Sequence, residues 1–319
     1  MSFIFSCHWN GRFGNRMHQY AYGMTYARKY NIPFILPSRW EGTVLFKNHK
    51  NYTLDYEMQE ALFDVMNDKS FGEKRKKVVQ DFLPEVKFIN PKLSSENYAS
   101  YEDPICFDDL CAYHPSIFAE MSKKYLLEIF EFSDEVKETD AYKYWQSRAG
   151  TYDIAHLRRD DISNPEYNRT NEQGYSVISK KSYHDAMIEF GFDPLKIEWT
   201  SDDHLKKWHK NRKITERFSW NYPIGSEYRR GLIFDWLEDF LRLYFARNIF
   251  RANSSFSWWA AFLSPTATVY SPVLDKQVIY GRDYLATWFP RPWKEIKVKF
   301  VKGNHPHWMY GNDDIFIND

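Results

Sequence analysis

The alternation of apolar strands, glycine-containing turns and helices constrains the fold of this chain most. Residues 3–5 have a short apolar strand pattern, residues 17–30 have helical periodicity, and residues 33–37 return to a strand pattern. A strand, a helix and a second strand in this order are typical of a parallel sheet covered by helices. We therefore predict an α/β fold.

A second series of the same kind begins near residue 152. The predicted elements are strands at residues 152–157, 197–200, 248–252 and 268–270, and helices at residues 182–190, 205–211, 234–246 and 257–263. The helix at 234–246 has apolar residues at spacings of three and four, as an amphipathic helix does. Residues 40–150 show weak periodicity, and we predict no elements within them.

The length of the chain favours two domains. At 319 residues it exceeds the size at which a single hydrophobic core stops growing. We place an amino-terminal Rossmann-like domain at residues 1–150 and a carboxyl-terminal Rossmann-like domain at residues 151–290. We expect a tail at residues 291–319 that packs back on the body of the protein.

Composition argues against several classes of protein. Lys plus Arg and Asp plus Glu number 43 each, so no overall charge attracts nucleic acid or an anionic membrane. The 3 cysteines give no disulfide framework. No stretch approaches the ~20 apolar residues of a membrane-spanning helix, and the first residues lack the basic segment of a secretory signal. We expect a cytoplasmic protein without a membrane-spanning segment, and the sequence does not indicate an oligomeric state.

Two adjacent arginines mark the most informative segment, residues 156–161 (HLRRDD), at the end of a predicted strand. Ligands of open α/β sheets bind beyond the carboxyl ends of the strands. The permanently charged guanidinium matches phosphate oxygens two at a time. Arg158 and Arg159 therefore predict a ligand that carries phosphate. The alternative is a surface ion-pair network in which Asp160 and Asp161 neutralise the two arginines.

Three other segments lie at similar junctions. Residues 11–15 (GRFGN) stand between a strand and a helix start, where free backbone N–H groups favour anions. Residues 252–259 (ANSSFSWW) offer hydroxyl and N–H groups to a phosphate, and Asp202 follows another strand. The alternatives are an ordinary tight turn and ordinary helix caps. None of these segments has the spacing of a Walker loop or a full dinucleotide fingerprint.

Metal and serine-nucleophile chemistry find little support. Cys106, Cys111 and His114 are loosely spaced for zinc, and His305 with His307 makes half a site. No nucleophile elbow of the Gly-x-Ser-x-Gly type occurs. We predict no metal ligands and no cofactor.

Four ordered motifs resemble the α-1,2-fucosyltransferase family, glycosyltransferase family eleven, within the wider group of GDP-fucose-dependent transferases. They are residues 10–21 (NGRFGNRMHQYA), 156–161 (HLRRDD) with 163–165 (SNP), 201–203 (SDD) and 252–259 (ANSSFSWW). Residues 11–15 are also similar to the protein O-fucosyltransferases. Residues 40–150 and those beyond 270 carry little of the resemblance.

The resemblance implies a GT-B fold with two facing Rossmann-like domains and a metal-independent, inverting transfer of L-fucose from GDP-β-L-fucose to a glycan hydroxyl, in α-1,2 linkage. Arg159 would be the main diphosphate clamp. The resemblance assigns donor binding to Gly11, Arg12, Phe13, Gly14, His156, Arg158, Arg159, Asp202, Asn253, Ser254, Ser255, Phe256 and Ser257. It assigns catalysis to Arg159, Glu166, Asp161 and Asn15.

The general base and the donor sugar stay open at this point. Glu166 lies ten residues after His156, the offset of the catalytic glutamate in the similar core α-1,6-fucosyltransferases, and Asp161 and His18 are alternatives. Arg16 stands where the family has Gln, and His18 where it has Phe. Another GDP-deoxyhexose such as GDP-rhamnose, or a non-catalytic GDP-sugar or glycan-binding module, is the competing interpretation.

Overall fold

The computed structural model describes residues 3–9, 11–47, 52–65, 71–89, 103–107, 123–159, 174–175, 177–201, 234, 236–273, 288–289 and 295–304. The chain divides into two compact units, the first built mainly on Met1–Ser133 and the second on Asp134–Ile315. In the second unit, two helices precede the first strand. Among the described helices, none is both long and apolar enough to cross a lipid bilayer.

The first unit is built on a parallel sheet. Its described strands are β1 (Ile4–Ser6), β2 (Phe34–Ile35), β3 (Lys87–Ile89) and β4 (Ile105–Phe107). Its described helices are α1 (Phe13–Tyr30), α2 (Gly42–Leu45), α3 (Tyr56–Val65), α4 (Phe71–Phe82) and α5 (Lys123–Ile129). The strands lie in the order β2-β1-β4-β3, with every neighbouring pair parallel. Strands β1 and β4 are buried at every position, which places them at the centre of this sheet.

Helix α1 begins at Phe13, earlier than the predicted residue 17, so that the glycine-containing turn runs directly into the first helical turn. The helix ends where Asn31 adopts a left-handed conformation with φ 53°. There the Ile32 N–H donates to the Ala27 carbonyl at 3.0 Å. This arrangement satisfies a carbonyl at the end of the helix and turns the chain toward β2.

The second unit has a larger mixed sheet. Its described helices are α6 (Asp134–Lys137), α7 (Asp140–Ser147), α8 (Lys180–Glu189), α9 (Leu237–Tyr244) and α10 (Ser255–Leu263), with a 3₁₀ turn at Pro194–Lys196. Its described strands are β5 (Asp153–Leu157), β6 (Gly174–Tyr175), β7 (Val177–Ile178), β8 (Glu198–Ser201), β9 (Asn248–Phe250), β10 (Thr268–Val273), β11 (Trp288–Phe289), β12 (Glu295–Ile296) and β13 (Lys299–Gly303). The main sheet has the order β13-β10-β9-β5-β8, and β6 pairs with β11 and β7 with β12.

In the main sheet of the second unit, β10, β9, β5 and β8 are parallel, as the strand–helix alternation predicts. Strand β13 is antiparallel to β10 and lies within the stretch that we interpreted as a tail. Aromatic rings fill the core under α8: Phe250 stacks on Tyr270 with centroids 4.4 Å apart, and Tyr183 packs on Phe300 at 5.0 Å. The α/β fold class is therefore confirmed in both units.

Most elements predicted from periodicity occur in the structure with shifted ends. The helix predicted at 234–246 is the shorter α9, and the helix predicted at 257–263 begins earlier, at Ser255. Residues 40–150, where we predicted no elements, contain α2–α7, β3 and β4. The helix predicted at 205–211 lies outside the described residues.

Candidate functional site

The carboxyl edge of the main sheet in the second unit gathers the segments that the sequence singled out. Parallel pairing sets Leu157 of β5 opposite Ser201 of β8, and Ala155 opposite Phe250 of β9. Residues 158–159 and residues 251–254, which leave β5 and β9, therefore start at the same edge. This is the edge at which open α/β sheets bind their ligands.

The amino terminus of α10 is shaped by its own serines. Ser254 occupies the N-cap with extended backbone, and its side chain makes no capping hydrogen bond. The Ser257 hydroxyl donates to the carbonyls of Ala252 and Ser254, at 3.3 Å each, and Asn253 is buried. The first turn contains no acidic residue. Because the first N–H groups of a helix have no partner within the helix, this terminus suits an anion.

Arg158 lies beside this helix terminus. Its Nη1 donates to the Ser254 hydroxyl oxygen at 3.3 Å, and its side chain is half-buried. Two segments that are 96 residues apart in the chain thus meet through a cation and a hydroxyl. A guanidinium next to a helix amino terminus combines two sources of positive potential, and that combination favours a phosphate.

Arg159 has a different setting from Arg158. It is only 8% exposed, its Nη2 donates to the Ile178 carbonyl at 2.8 Å, and its Nη1 donates to the Arg158 carbonyl at 3.1 Å. These bonds hold the end of β7 and the backbone of the arginine pair. The family resemblance assigns Arg159 as the main diphosphate clamp, and that assignment stays a prediction. The described contacts give Arg159 a bracing role as well.

His156 is buried under the same edge. Its backbone carbonyl accepts a hydrogen bond from the Tyr183 hydroxyl of α8 at 2.8 Å, and its ring lies 5.8 Å from that of Phe256. Burial, and secondarily the charges of Arg158 and Arg159, lower the pKa of His156 to about 3. His156 is therefore neutral at neutral pH and does not add a charge to the site.

The stability of the protein should depend on the protonation of His156. Its pKa is about 3 in the folded chain against 6.5 as the ordinary value, so the unfolded chain binds more protons between these pH values. The contribution of His156 to the free energy of unfolding is therefore fully present above pH 6.5. It falls by up to about 1.4 kcal/mol per pH unit as the pH decreases below that value. The free energy of unfolding is measured in urea between pH 7 and pH 5. Its slope against pH should be smaller in His156→Gln than in the wild-type protein, by the contribution of one titrating group.

Above pH 7 the wild-type protein and His156→Gln should show the same slope, which serves as the internal control. An unchanged slope between pH 7 and pH 5 would contradict the buried, neutral state of His156. His8 and His18, whose pKa values burial also lowers, contribute to the wild-type slope in the same direction.

The Phe256 ring belongs to an aromatic cluster at the start of α10. It packs against Phe240 and Trp236 of the α9 region, with centroids 5.3 Å and 5.8 Å apart. With His156 these rings form an aromatic cluster beneath the amino terminus of α10. The cluster fixes the start of α10 relative to β5, and this leaves the N–H groups of the first turn, rather than the ring, to meet a ligand.

Sequence reasoning missed three side chains at this edge: Tyr183 on α8, Asp239 on α9 and Arg251 after β9. Tyr183 bonds to the His156 carbonyl, and Asp239 accepts a hydrogen bond from the Thr200 hydroxyl of β8. Arg251 is 1% exposed. A charged residue at a predicted strand end was the available signal for Arg251, whereas nothing in the local pattern distinguishes Tyr183 or Asp239 from ordinary helix residues.

The first unit places its predicted residues at the carboxyl end of β1. Gly11 has φ 63°, and a Cβ atom built on it would meet the Asn15 side-chain amide nitrogen at 2.2 Å. Glycine is therefore required at this position by both conformation and space. Arg12 is exposed at the N-cap of α1, whereas Phe13 is buried and stacks on Trp40 with centroids 6.1 Å apart. Gly14 lies buried in the first helical turn.

A buried ion pair braces this turn. Arg16 donates from Nη1 to both carboxylate oxygens of Glu41 at 2.9 Å and from Nη2 to the Gly11 carbonyl at 2.7 Å. Burial lowers the pKa of Arg16, and Glu41 acts in the opposite direction. The departure from the family pattern at Arg16 thus has a structural role. His18 is 1% exposed, and burial holds its pKa well below 6.5.

The structure therefore brings together part of the predicted site. In the second unit, the residues that share one edge are His156, Arg158, Arg159, Asn253, Ser254, Ser255, Phe256 and Ser257. In the first unit, Gly11 and Arg12 lead directly into the first turn of α1, which contains Phe13, Gly14 and Asn15. Glu166, Asp161 and Asp202 lie outside the described residues. Within the described part of the chain, no cluster of three or more His, Cys, Asp or Glu side chains is arranged to hold a metal ion.

Comparison with known proteins gives structural neighbours only. No family model matches the sequence, and no curated protein sequence matches it. The fucosyltransferase NodZ from Bradyrhizobium has 11% identity and a TM-score of 0.47, over 87% of this chain and 96% of that chain. A mutant of Arabidopsis thaliana FUT1 in complex with GDP has 13% identity and a TM-score of 0.41, over 84% and 70%. POFUT1 in complex with GDP-fucose has 13% identity and a TM-score of 0.41, over 84% and 97%.

Proposed function

We propose that this chain is a glycosyltransferase that moves L-fucose from GDP-β-L-fucose to a glycan hydroxyl. The observation that carries the proposal is the meeting of Arg158 with Ser254 at the amino terminus of α10. Two separate motifs of the fucosyltransferase resemblance thereby meet at the carboxyl edge of a parallel sheet, and this meeting supports an anion site there. The two parallel-sheet units agree with the two Rossmann-like domains of a GT-B enzyme.

The diphosphate of the donor would lie against the first turn of α10. Backbone N–H groups there and the helix dipole stabilise negative charge, and the half-buried Arg158 adds a permanent cation. Arg159, which holds the Arg158 carbonyl, would keep the guanidinium of its neighbour in place and add its own charge from behind. Ser257 fixes the backbone on which these N–H groups are carried.

The chemistry that fits such a site is an inverting displacement. The oxygen of the acceptor hydroxyl attacks C1 of the sugar, the bond from C1 to the diphosphate oxygen breaks, and GDP leaves from the opposite face. Negative charge grows on the diphosphate as the bond breaks, so donors already oriented toward it lower the barrier. We propose that arginines and a helix terminus supply this stabilisation, without a metal ion or a cofactor.

A carboxylate would accept the proton of the attacking hydroxyl. Glu166 is our first candidate for this general base and Asp161 the second, since both follow the arginine pair in the sequence. The third candidate, His18, is buried and 1% exposed, so its ring is poorly placed to meet an acceptor hydroxyl. We propose that Asn15, at the start of α1, also takes part in catalysis, as the resemblance implies.

The identity of the donor sugar has an alternative. Arg16 stands where the family has the uncharged residue Gln, and it forms a buried ion pair with Glu41 beside Gly11. The surroundings of Gly11 therefore differ from the family pattern. A transferase for another GDP-deoxyhexose, such as GDP-rhamnose, would use the same diphosphate site. The α-1,2 linkage of the product is likewise proposed from the resemblance alone.

A donor panel tests this function. The protein is incubated with GDP-β-L-fucose, GDP-rhamnose or GDP-mannose and a set of glycan acceptors, and released GDP is measured together with the product linkage. We expect acceptor-dependent GDP release that is fastest with GDP-β-L-fucose. A preference for GDP-rhamnose would select the rival, and binding of GDP-sugars without acceptor-dependent release would identify a non-catalytic binding module.

A further inference from the structure

Arg251 is a buried arginine that no step of the proposed reaction has used. It follows β9 directly, is 1% exposed, and its backbone N–H donates to the Tyr270 carbonyl at 3.0 Å. Its Nε donates to the Ser271 hydroxyl oxygen at 2.8 Å, and its Nη1 donates to the Ala252 carbonyl at 2.9 Å. The guanidinium therefore contacts the loop that connects β9 to α10.

The contact with Ala252 orients this loop. The Ala252 carbonyl accepts from both Arg251 and the Ser257 hydroxyl, so it is held toward the interior. Because the peptide group is planar and trans, the N–H of Asn253 points in the opposite direction to that carbonyl. The same holds for Ser255, since the Ser254 carbonyl accepts from Ser257 and Trp258. Arg251 thus helps to direct the N–H group of Asn253 away from the interior, and Ser257 does the same for the N–H group of Ser255.

Arg251 also carries a charge in a place where charge is costly. Burial lowers its pKa to about 9, and Tyr183 acts in the opposite direction. Taking a guanidinium out of water is unfavourable, and this cost is reduced when an anion binds nearby in a low-dielectric region. An anion at the start of α10 would have this effect, because Arg251 lies directly behind the loop that leads into that helix.

We propose that Arg251 is a positioning residue for the donor diphosphate, which it serves by orienting the 252–254 loop and by placing a buried positive charge behind the amino terminus of α10. Its side chain is too deeply buried to touch the donor, so it acts through the backbone and through its field. This inference rests on the proposed function and assigns a specific part of donor recognition to a residue outside the motifs that carry the resemblance.

Binding of GDP and of guanosine to a set of variants tests the inference. Arg251→Gln removes the charge but keeps a donor for the Ala252 carbonyl, and Arg251→Lys keeps a charge. Arg247→Gln is the matched control, because it removes one cation from an exposed side chain at the opposite end of β9. By isothermal titration calorimetry, we expect Arg251→Gln to weaken GDP about tenfold or more and guanosine less than about twofold. Arg251→Lys should lie between Gln and wild type, and Arg247→Gln should match wild type.

Three outcomes overturn the inference. GDP affinity within about twofold of wild type in Arg251→Gln would show that the charge does not act on the diphosphate. A parallel loss for GDP and guanosine, or loss of the folded state in every Arg251 variant, would assign Arg251 to the fold instead. Binding of inorganic pyrophosphate is measured in the same proteins. If the wild-type protein binds pyrophosphate but not GDP, the proposed function is contradicted. The comparison of the Arg251 variants is then made with pyrophosphate.

Discussion

Arg158→Ala should lower the turnover of GDP-β-L-fucose by about 10²–10³-fold while leaving the protein folded. The expected loss is that of one preorganised charge donor to the leaving group, because Arg158 lies beside Ser254 at the amino terminus of α10. Its side chain is half-buried rather than part of the core, so we expect the fold to tolerate its removal. The measurement is kcat and KM for GDP release, with the melting temperature as the check on folding.

The comparison with Arg159 separates the roles of the two arginines. Arg159→Ala should lower turnover and also the melting temperature, because it removes the donors to the Ile178 and Arg158 carbonyls. Arg159→Lys should keep part of the activity. Arg247→Ala, at an exposed ion pair, is the control for loss of one positive charge. Near-normal turnover in Arg158→Ala and in both Arg159 variants would contradict the diphosphate site.

Glu41→Ala should destabilise the protein by about 3–5 kcal/mol. The side chains of Arg16 and Glu41 are 3% and 8% exposed, so removal of the carboxylate leaves a buried guanidinium with its main counter-charge missing. Burial lowers the pKa of Arg16, whereas Glu41 raises it by stabilising the charged guanidinium. The Gly11–Asn15 turn depends on the same guanidinium through the Gly11 carbonyl. The measurement is the urea midpoint of the wild-type and variant proteins.

The matched control replaces both partners by apolar residues of similar size. Arg16→Met combined with Glu41→Leu should recover much of the stability lost in Glu41→Ala, since no uncompensated charge is buried. A loss of less than about 1 kcal/mol in Glu41→Ala would mean that the pair behaves like an exposed surface pair and would contradict its bracing role.

The meeting of Arg158 with Ser254 could be predicted because it follows from local patterns. Apolar runs at 152–157 and 248–252 predicted strands β5 and β9, and parallel strands place the residues after them at one edge. Arg158 and Ser254 therefore had to lie near each other if the sheet was parallel and the two strands were neighbours. The chemistry of adjacent arginines then indicated an anion at that edge.

The division of work between the arginines could not be predicted in the same way. Adjacent residues after a strand project in different directions, and tertiary contacts decide which one is buried. Ile178, which binds Arg159, is 19 residues away in the chain, and the Ser254 contact of Arg158 is 96 residues away. The short strands β3 and β4 were missed for a related reason, since 3 residues each show too little alternation to be recognised.

A structure of the protein with GDP bound tests the central claim most directly. We expect diphosphate oxygens within hydrogen-bond distance of the Arg158 guanidinium and of the backbone N–H groups in the first turn of α10. A diphosphate bound elsewhere, or an amino terminus of α10 that stays without GDP at saturating concentration, would contradict it.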